Sequence, residues 1–116
     1  MIDSTPRFLQ GAFAFTGAGY DSPKLLDASL AYSVPADKRA QLVYLRAGNS
    51  SAEMVFCALT QGGKTMRVFP VGAKASIHVP LAVVEDLAPE TNIEVVFGAP
   101  SGTSGTLVVD IGLIEI

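Results

Sequence analysis

Hydrophobic and polar residues alternate along most of this chain with a period of two, the repeat of a pleated strand buried on one face. Leu26, Ala28, Leu30, Tyr32 and Val34 alternate with Asp27, Ser29, Ala31 and Ser33, which predicts one strand. An earlier run, Phe8 to Thr16, places Leu9, Phe13 and Phe15 on one face. Further strands are predicted at Gln41–Ala47, Glu53–Thr60, Thr65–Val71, Ala75–Val79, Asn92–Gly98 and Thr106–Ile116. These runs are rich in the β-branched and aromatic residues that a pleated surface favours. Gln61-Gly62-Gly63-Lys64 reads as a hairpin turn, because two successive glycines accept the positive φ such turns need. Ser22–Leu26 has helical character, and Leu81–Leu87 reads as a strand end followed by one helical turn before Ala88-Pro89. About eight strands with at most one short helical turn make an all-β protein, an antiparallel sandwich or a barrel. No linker or internal repeat interrupts it, so residues 1–116 form a single domain.

Several strands are apolar on both faces. Thr106–Ile116 sets Leu107, Val109, Ile111 and Leu113 against Val108, Ile114 and Ile116. Gln41–Ala47 sets Leu42 and Tyr44 against Val43 and Leu45, and Glu53–Thr60 sets Met54 and Phe56 against Val55, Cys57 and Leu59. Antiparallel sheets ordinarily turn a polar face to water. With almost no helix to act as a lid, the second apolar face calls for another subunit, and Val108, Ile114 and Ile116 are the predicted interface.

Composition narrows the function classes. The 116 residues are 49% hydrophobic and only 16% charged, which excludes disorder. A folded chain of this mass exposes roughly 6,000 Å², about a third of its extended surface, so no disulfide or metal is needed to hold the core. A net charge of −3 argues against nucleic acid, which requires a basic patch. No apolar run reaches the ~20 residues of a membrane helix. No signal peptide is visible in the first residues and there is a single cysteine, so a cytoplasmic location is the expectation.

Motifs for catalysis fall short. Gly17-Ala18-Gly19-Tyr20-Asp21-Ser22 begins like a dinucleotide fingerprint, but Ser22 stands at the third glycine position and no βαβ unit follows. Gly63-Lys64-Thr65 has the tail of a phosphate-binding loop without its first glycine, and Gly102–Thr106 misses the nucleophile elbow by one residue. The one histidine, His78, would need a nucleophile beside it, and Cys57 in Met-Val-Phe-Cys-Ala-Leu reads as a buried thiol. One His and one Cys are too few for zinc. No cofactor and no metal are implied, and an enzyme is the third choice. Asn49-Ser50-Ser51 matches the glycosylation acceptor pattern, which has no bearing in a cytoplasmic protein.

Three polar features remain. Asp110 and Arg46 each stand alone inside an apolar strand, and burial would require a partner, so they are predicted as a buried charge pair. The loop Thr16–Lys24 holds Tyr20 and Asp21 among glycines, and with Arg46 these form a candidate ligand site. Arg67, Lys74 and His78 are a candidate anion patch, should their strands be neighbours.

Gln41-Leu42-Val43-Tyr44-Leu45-Arg46-Ala47-Gly48 and Gly105-Thr106-Leu107-Val108-Val109-Asp110-Ile111-Gly112-Leu113 resemble strands of the small jelly-roll sandwiches of carbohydrate-binding modules and galactose-binding-like domains. The resemblance implies a jelly-roll fold, a glycan ligand and, in many such folds, a structural calcium ion, for which Asp21, Asp27 and Asp110 are the available carboxylates. The chain departs from the pattern in having no Trp, the usual sugar-stacking residue. The leading functional expectation is therefore a non-catalytic sandwich that works by self-assembly or as a small accessory subunit. The alternative is a module binding a glycan or small polar ligand, with no nucleic acid or membrane as partner.

Overall fold

The structure, a computed structural model, describes residues 4–116, with backbone alone for residues 82–85. Among the described residues there are nine strands and one 3-10 turn: β1 (Thr5–Thr16), β2 (Lys24–Leu25), the turn Ala28–Leu30, β3 (Tyr32–Ser33), β4 (Ala40–Asn49), β5 (Val55–Gln61), β6 (Lys64–Val71), β7 (Ser76–Leu87), β8 (Asn92–Gly98) and β9 (Ser104–Glu115). They form two antiparallel sheets. Sheet 1 runs β1-β9-β4-β7, and sheet 2 runs β2-β8-β5-β6 with β3 also on β8. Apart from the β5–β6 hairpin, and with β2 and β3 counted as one interrupted strand, successive strands alternate between sheets. That is jelly-roll connectivity.

The core lies between the sheets. Leu107, Val109, Ile111 and Leu113 of β9 face Val55, Cys57 and Leu59 of β5 and Ile93, Val95 and Phe97 of β8, all buried. The folded chain exposes 6122 Å², close to what its mass predicts for a self-sufficient domain. No described helix is long and apolar enough to cross a membrane.

Turn chemistry acts where the sequence places it. Gly62 and Gly63 join β5 to β6 at φ of 58° and 82°, the left-handed values that most side chains avoid. Gly17 sits where a Cβ would come within 2.3 Å of the Pro100 carbonyl oxygen. Its absence lets the Thr16–Lys24 loop close on the loop after β8, through Gly17 N–H to Thr103 O (2.7 Å) and Gly19 N–H to Ala99 O (2.8 Å).

The structure departs from three sequence expectations. The predicted strand from Leu26 to Val34 is broken by the 3-10 turn, because the Asp27 carboxylate accepts the Ser29 N–H at 2.9 Å and draws the chain into a cap. Leu26, Leu30 and Val34 still reach the core, at a spacing of four rather than two. Neither Ser22–Leu26 nor Leu81–Leu87 forms a helical turn, and β7 runs unbroken to Leu87. In β4 the register against both neighbours shifts between Leu42 and Tyr44, a β-bulge. Leu42 and Leu45 therefore both enter the core, while Val43 and Tyr44 both turn outward, so the predicted Leu42/Tyr44 and Val43/Leu45 faces do not exist.

Candidate functional site

Sheet 1 has an inner face in the core and an outer face in solvent, and its registers build the outer face rung by rung. Pro6 pairs with Ile114, and Ile114 with Gln41. The next rung is Phe8, Gly112, Tyr44 and Pro80; then Gln10, Asp110, Arg46 and His78; then Ala12, Val108, Gly48 and Ser76. From the first two rungs Pro6, Ile114, Phe8, Gly112 and Tyr44, with Val43 pushed out by the bulge, line a shallow apolar hollow of about 200 Å³. The β9, β4 and β7 members of the last two, with Ala47 and Ile77, line an open hollow of about 600 Å³ around Gly48.

Tyr44 joins the two halves. Its ring lies across Gly112, where a Cβ would fall 2.1 Å from Tyr44 Cε2, so only glycine fits beneath it. The Tyr44 hydroxyl donates to Asp110 Oδ1 at 3.1 Å. Burial, together with that carboxylate, raises the hydroxyl above the ordinary tyrosine range. Arg46 lies over the same ring, 5.1 Å from its centroid, and His78 meets it edge-on at 6.0 Å.

Arg46 and Asp110 stand opposite each other in the register, with Arg46 Nε 3.8 Å from Asp110 Oδ2. They are not buried as expected: the Arg46 side chain is 58% exposed and that of Asp110 28%. The outer face of sheet 1 is uncovered in the single chain, so these charges keep water and need no desolvated partner.

Tyr20 and Asp21 are not beside Arg46. Tyr20 stacks on Phe56 of sheet 2 at 6.4 Å between centroids and donates to the Met54 carbonyl at 2.8 Å, while Arg46 projects from the outer face of sheet 1. The proposed trio is thus two separate places on the surface. The anion patch dissolves for the same reason, since Arg67 belongs to sheet 2 and His78 to sheet 1. Asp27 caps the 3-10 turn, and no three His, Cys, Asp or Glu among the described residues gather around a metal-sized space. His78 lies exposed on sheet 1, and Cys57 is buried in sheet 2, its thiol pushed up to about 12 by burial, so they form no catalytic pair.

Val108 and Ile114 lie on the side of β9 away from the core, and Ile116 follows just after the strand. Val108 is 52% and Ile116 41% exposed, and Ile114 is half-buried. Asp110 and Gly112 separate Val108 from the other two, so the three are not one contiguous patch. Phe8, 54% exposed, and Pro6 complete the apolar end, and sequence reasoning passed over both. The available signal was the opposite parity of Phe8 to Leu9, Phe13 and Phe15 in the first strand.

Two structural knots were also invisible in the pattern. The side chain of Asn49, 4% exposed as a residue, donates through Nδ2 to Glu53 O (2.8 Å) and Gly72 O (3.1 Å), and accepts from Ser51 N–H (2.9 Å) and Ser51 Oγ (2.8 Å). Its amide is committed to the backbone, which contradicts a role as a glycosylation acceptor. Glu115, 3% exposed, accepts the Tyr32 hydroxyl from sheet 2 at 2.5 Å and pairs with Arg7 Nε at 3.2 Å. The Tyr32 bond, with Arg7 beside it, holds the Glu115 carboxyl below its ordinary value despite burial.

No protein-family model matches the chain, and no curated protein matches it. Solved structures do. "Crystal structure of PirA" is similar with a TM-score of 0.61 and 13% identity over 89% of this chain and 93% of that one. The subunit in "Bacillus endospore appendages form a novel family of disulfide-linked pili" is similar with a TM-score of 0.52 and 13% identity over 97% of this chain and 88% of that one. These likenesses establish the jelly-roll β-sandwich as the fold.

Proposed function

We propose that this protein is a non-catalytic structural subunit that assembles with further copies of itself. The observation that carries the reading is the apolar end of the sheet 1 outer face, where Phe8, Val43 and Ile116 stay exposed beside Pro6 and Ile114. Fully burying such a side chain stabilises by about 1.5–3 kcal/mol, so several partly exposed ones can sustain an interface after association costs. The Bacillus endospore appendages with a similar fold form disulfide-linked pili. In this chain the single cysteine is buried, so an assembly would be held non-covalently. A cytoplasmic location stays part of the proposal.

Light scattering on the eluting protein tests it. The wild type should elute as a defined multiple of 12.1 kDa. Phe8→Lys and Ile114→Lys should lower that mass while leaving the far-UV dichroism unchanged. A wild type that is monomeric throughout the accessible concentration range overturns the reading.

A second reading rests on the row Asp110–Arg46–His78 around Gly48, which sets polar groups into an open, partly apolar hollow of a kind that suits a glycan or small polar ligand. A glycan array read with wild type and Arg46→Ala tests that alternative.

A further inference from the structure

The open edges of the two sheets are unequal, and the difference points to how copies would join. In β1 the Gly17 N–H donates to Thr103 O, in line with the β1–β9 register, so odd-numbered residues of β1 bond to β9. Antiparallel ladders alternate, so the even-numbered residues from Phe8 to Thr16 aim N–H and C=O at the open edge. The same test on β7 uses Asn49 N–H to Ala75 O, which turns the even-numbered residues outward and puts Pro80, which has no N–H, in the middle of that edge. The β6 edge carries Lys64, Arg67 and Pro70 and a register shift against β5. On the fourth edge, β2 and β3 are two residues each, split by the 3-10 turn.

Prolines, charges, bulges and shortness are the devices that stop strand edges from pairing. β1 lacks them over most of its length. It pairs with β9 for twelve residues without a register shift, its one proline is at the second position, and its one charge, Arg7, is held by Glu115. Beyond Arg7 the edge reads Phe-Leu-Gln-Gly-Ala-Phe-Ala-Phe-Thr, with the small residues Ala12 and Ala14 on the outer face.

We propose that β1 is the assembly edge: two copies join β1 to β1, antiparallel about a twofold axis at Ala12, and sheet 1 continues as one eight-stranded sheet. The occupant follows from the comparison of edges. The other three edges of this chain are blunted, so the uninterrupted complement to an open β1 is another β1, and an antiparallel twofold makes identical edges self-complementary. In this register Ala12 meets its own copy, Gln10 meets Ala14, and Phe8 meets Thr16. These five pairs supply about ten backbone hydrogen bonds. The proposal rests on self-assembly and adds a second joint, at the β1 edge, to the apolar end of the sheet 1 outer face.

Ala12→Pro is the discriminating variant. The N–H it removes lies on the open edge, outside the β1–β9 ladder, so the monomer fold should survive while the pairing is lost. The expected result is a twofold drop in assembled mass with native dichroism, and in the wild type the amides of Phe8, Gln10, Ala12, Ala14 and Thr16 should exchange about tenfold or more slowly in the assembly than in dilute monomer. If Ala12→Pro keeps the wild-type mass and dichroism, or those amides exchange equally in both states, the edge is not the joint, although self-assembly stands. Should Ala12→Pro fail to fold, the wild-type amide measurement decides alone. A wild type that never assembles removes both readings. Protection of these amides in a dilute monomer only when an unrelated extended peptide is added would assign the edge to a foreign strand and overturn the twofold.

Discussion

Replacing Asn49 with alanine removes a side chain that ties three segments together. Asn49 ends β4 on the inner side, and its amide spans the Ser51–Glu53 turn and the carbonyl of Gly72 after β6. Truncation removes five contacts of unequal cost, the weakest a long bond from Nδ2 to the Val71 carbonyl at 3.4 Å. Glu53 and Gly72 are exposed, so their carbonyls recover water. The Ser51 hydroxyl keeps its second bond, to Glu53 O at 2.9 Å. The Ser51 N–H belongs to a residue only 4% exposed and has no such recourse. One buried orphaned donor costs about 1–3 kcal/mol, and the other lost bonds add about 1 kcal/mol, so a destabilisation of about 2–4 kcal/mol is expected. Urea unfolding followed by far-UV dichroism measures it, since the chain has no Trp. The midpoint should fall with an unchanged slope. Ser50→Ala is the control, because the Ser50 hydroxyl accepts the Thr106 N–H at 2.8 Å in an exposed setting and should cost under about 1 kcal/mol. A loss below about 0.5 kcal/mol for Asn49→Ala refutes the reasoning, because that is the range of an ordinary surface change.

Glu115 should make stability pH-dependent. Its folded carboxyl titrates below its unfolded value, so its contribution is full above the unfolded pKa and is lost as pH falls through the folded one. Glu115→Gln should therefore cost about 1.5–3 kcal/mol near neutrality, with the gap to wild type closing below about pH 4; a gap independent of pH contradicts it. Cys57 should resist thiol reagents in the native protein at pH 8 and react only on unfolding, because burial pushes its pKa to about 12; rapid native labelling would show an open core. Arg46→Ala should change stability by under about 1 kcal/mol, as a solvated pair does, and a loss above about 3 kcal/mol would restore the buried-pair expectation.

Strand positions were largely legible because period two survives in a sheet with one buried face. The Gln61–Lys64 hairpin was legible because two glycines at positive φ leave a local signature. The β4 bulge was not, since one inserted residue leaves composition unchanged and only the neighbouring strands reveal the phase change at Val43. The break at Ala28–Leu30 was missed because Leu26, Leu30 and Val34 fit a period of two as well as a period of four, and the Asp27 cap decides between them. On the candidate site, Val108, Ile114 and Ile116 were placed on the outer side by parity alone. Phe8 joins Ile114 only through the pairing of the first strand with the last, which no local pattern encodes. Glu115 and Tyr32 meet across the two sheets for the same reason.

Self-assembly is the central claim, and sedimentation velocity across a hundredfold range of wild-type concentration tests it most directly. The account predicts a species heavier than 12.1 kDa that dissociates toward the monomer on dilution and is lost in Phe8→Lys without loss of β-structure. A single 12.1 kDa species at every concentration contradicts it.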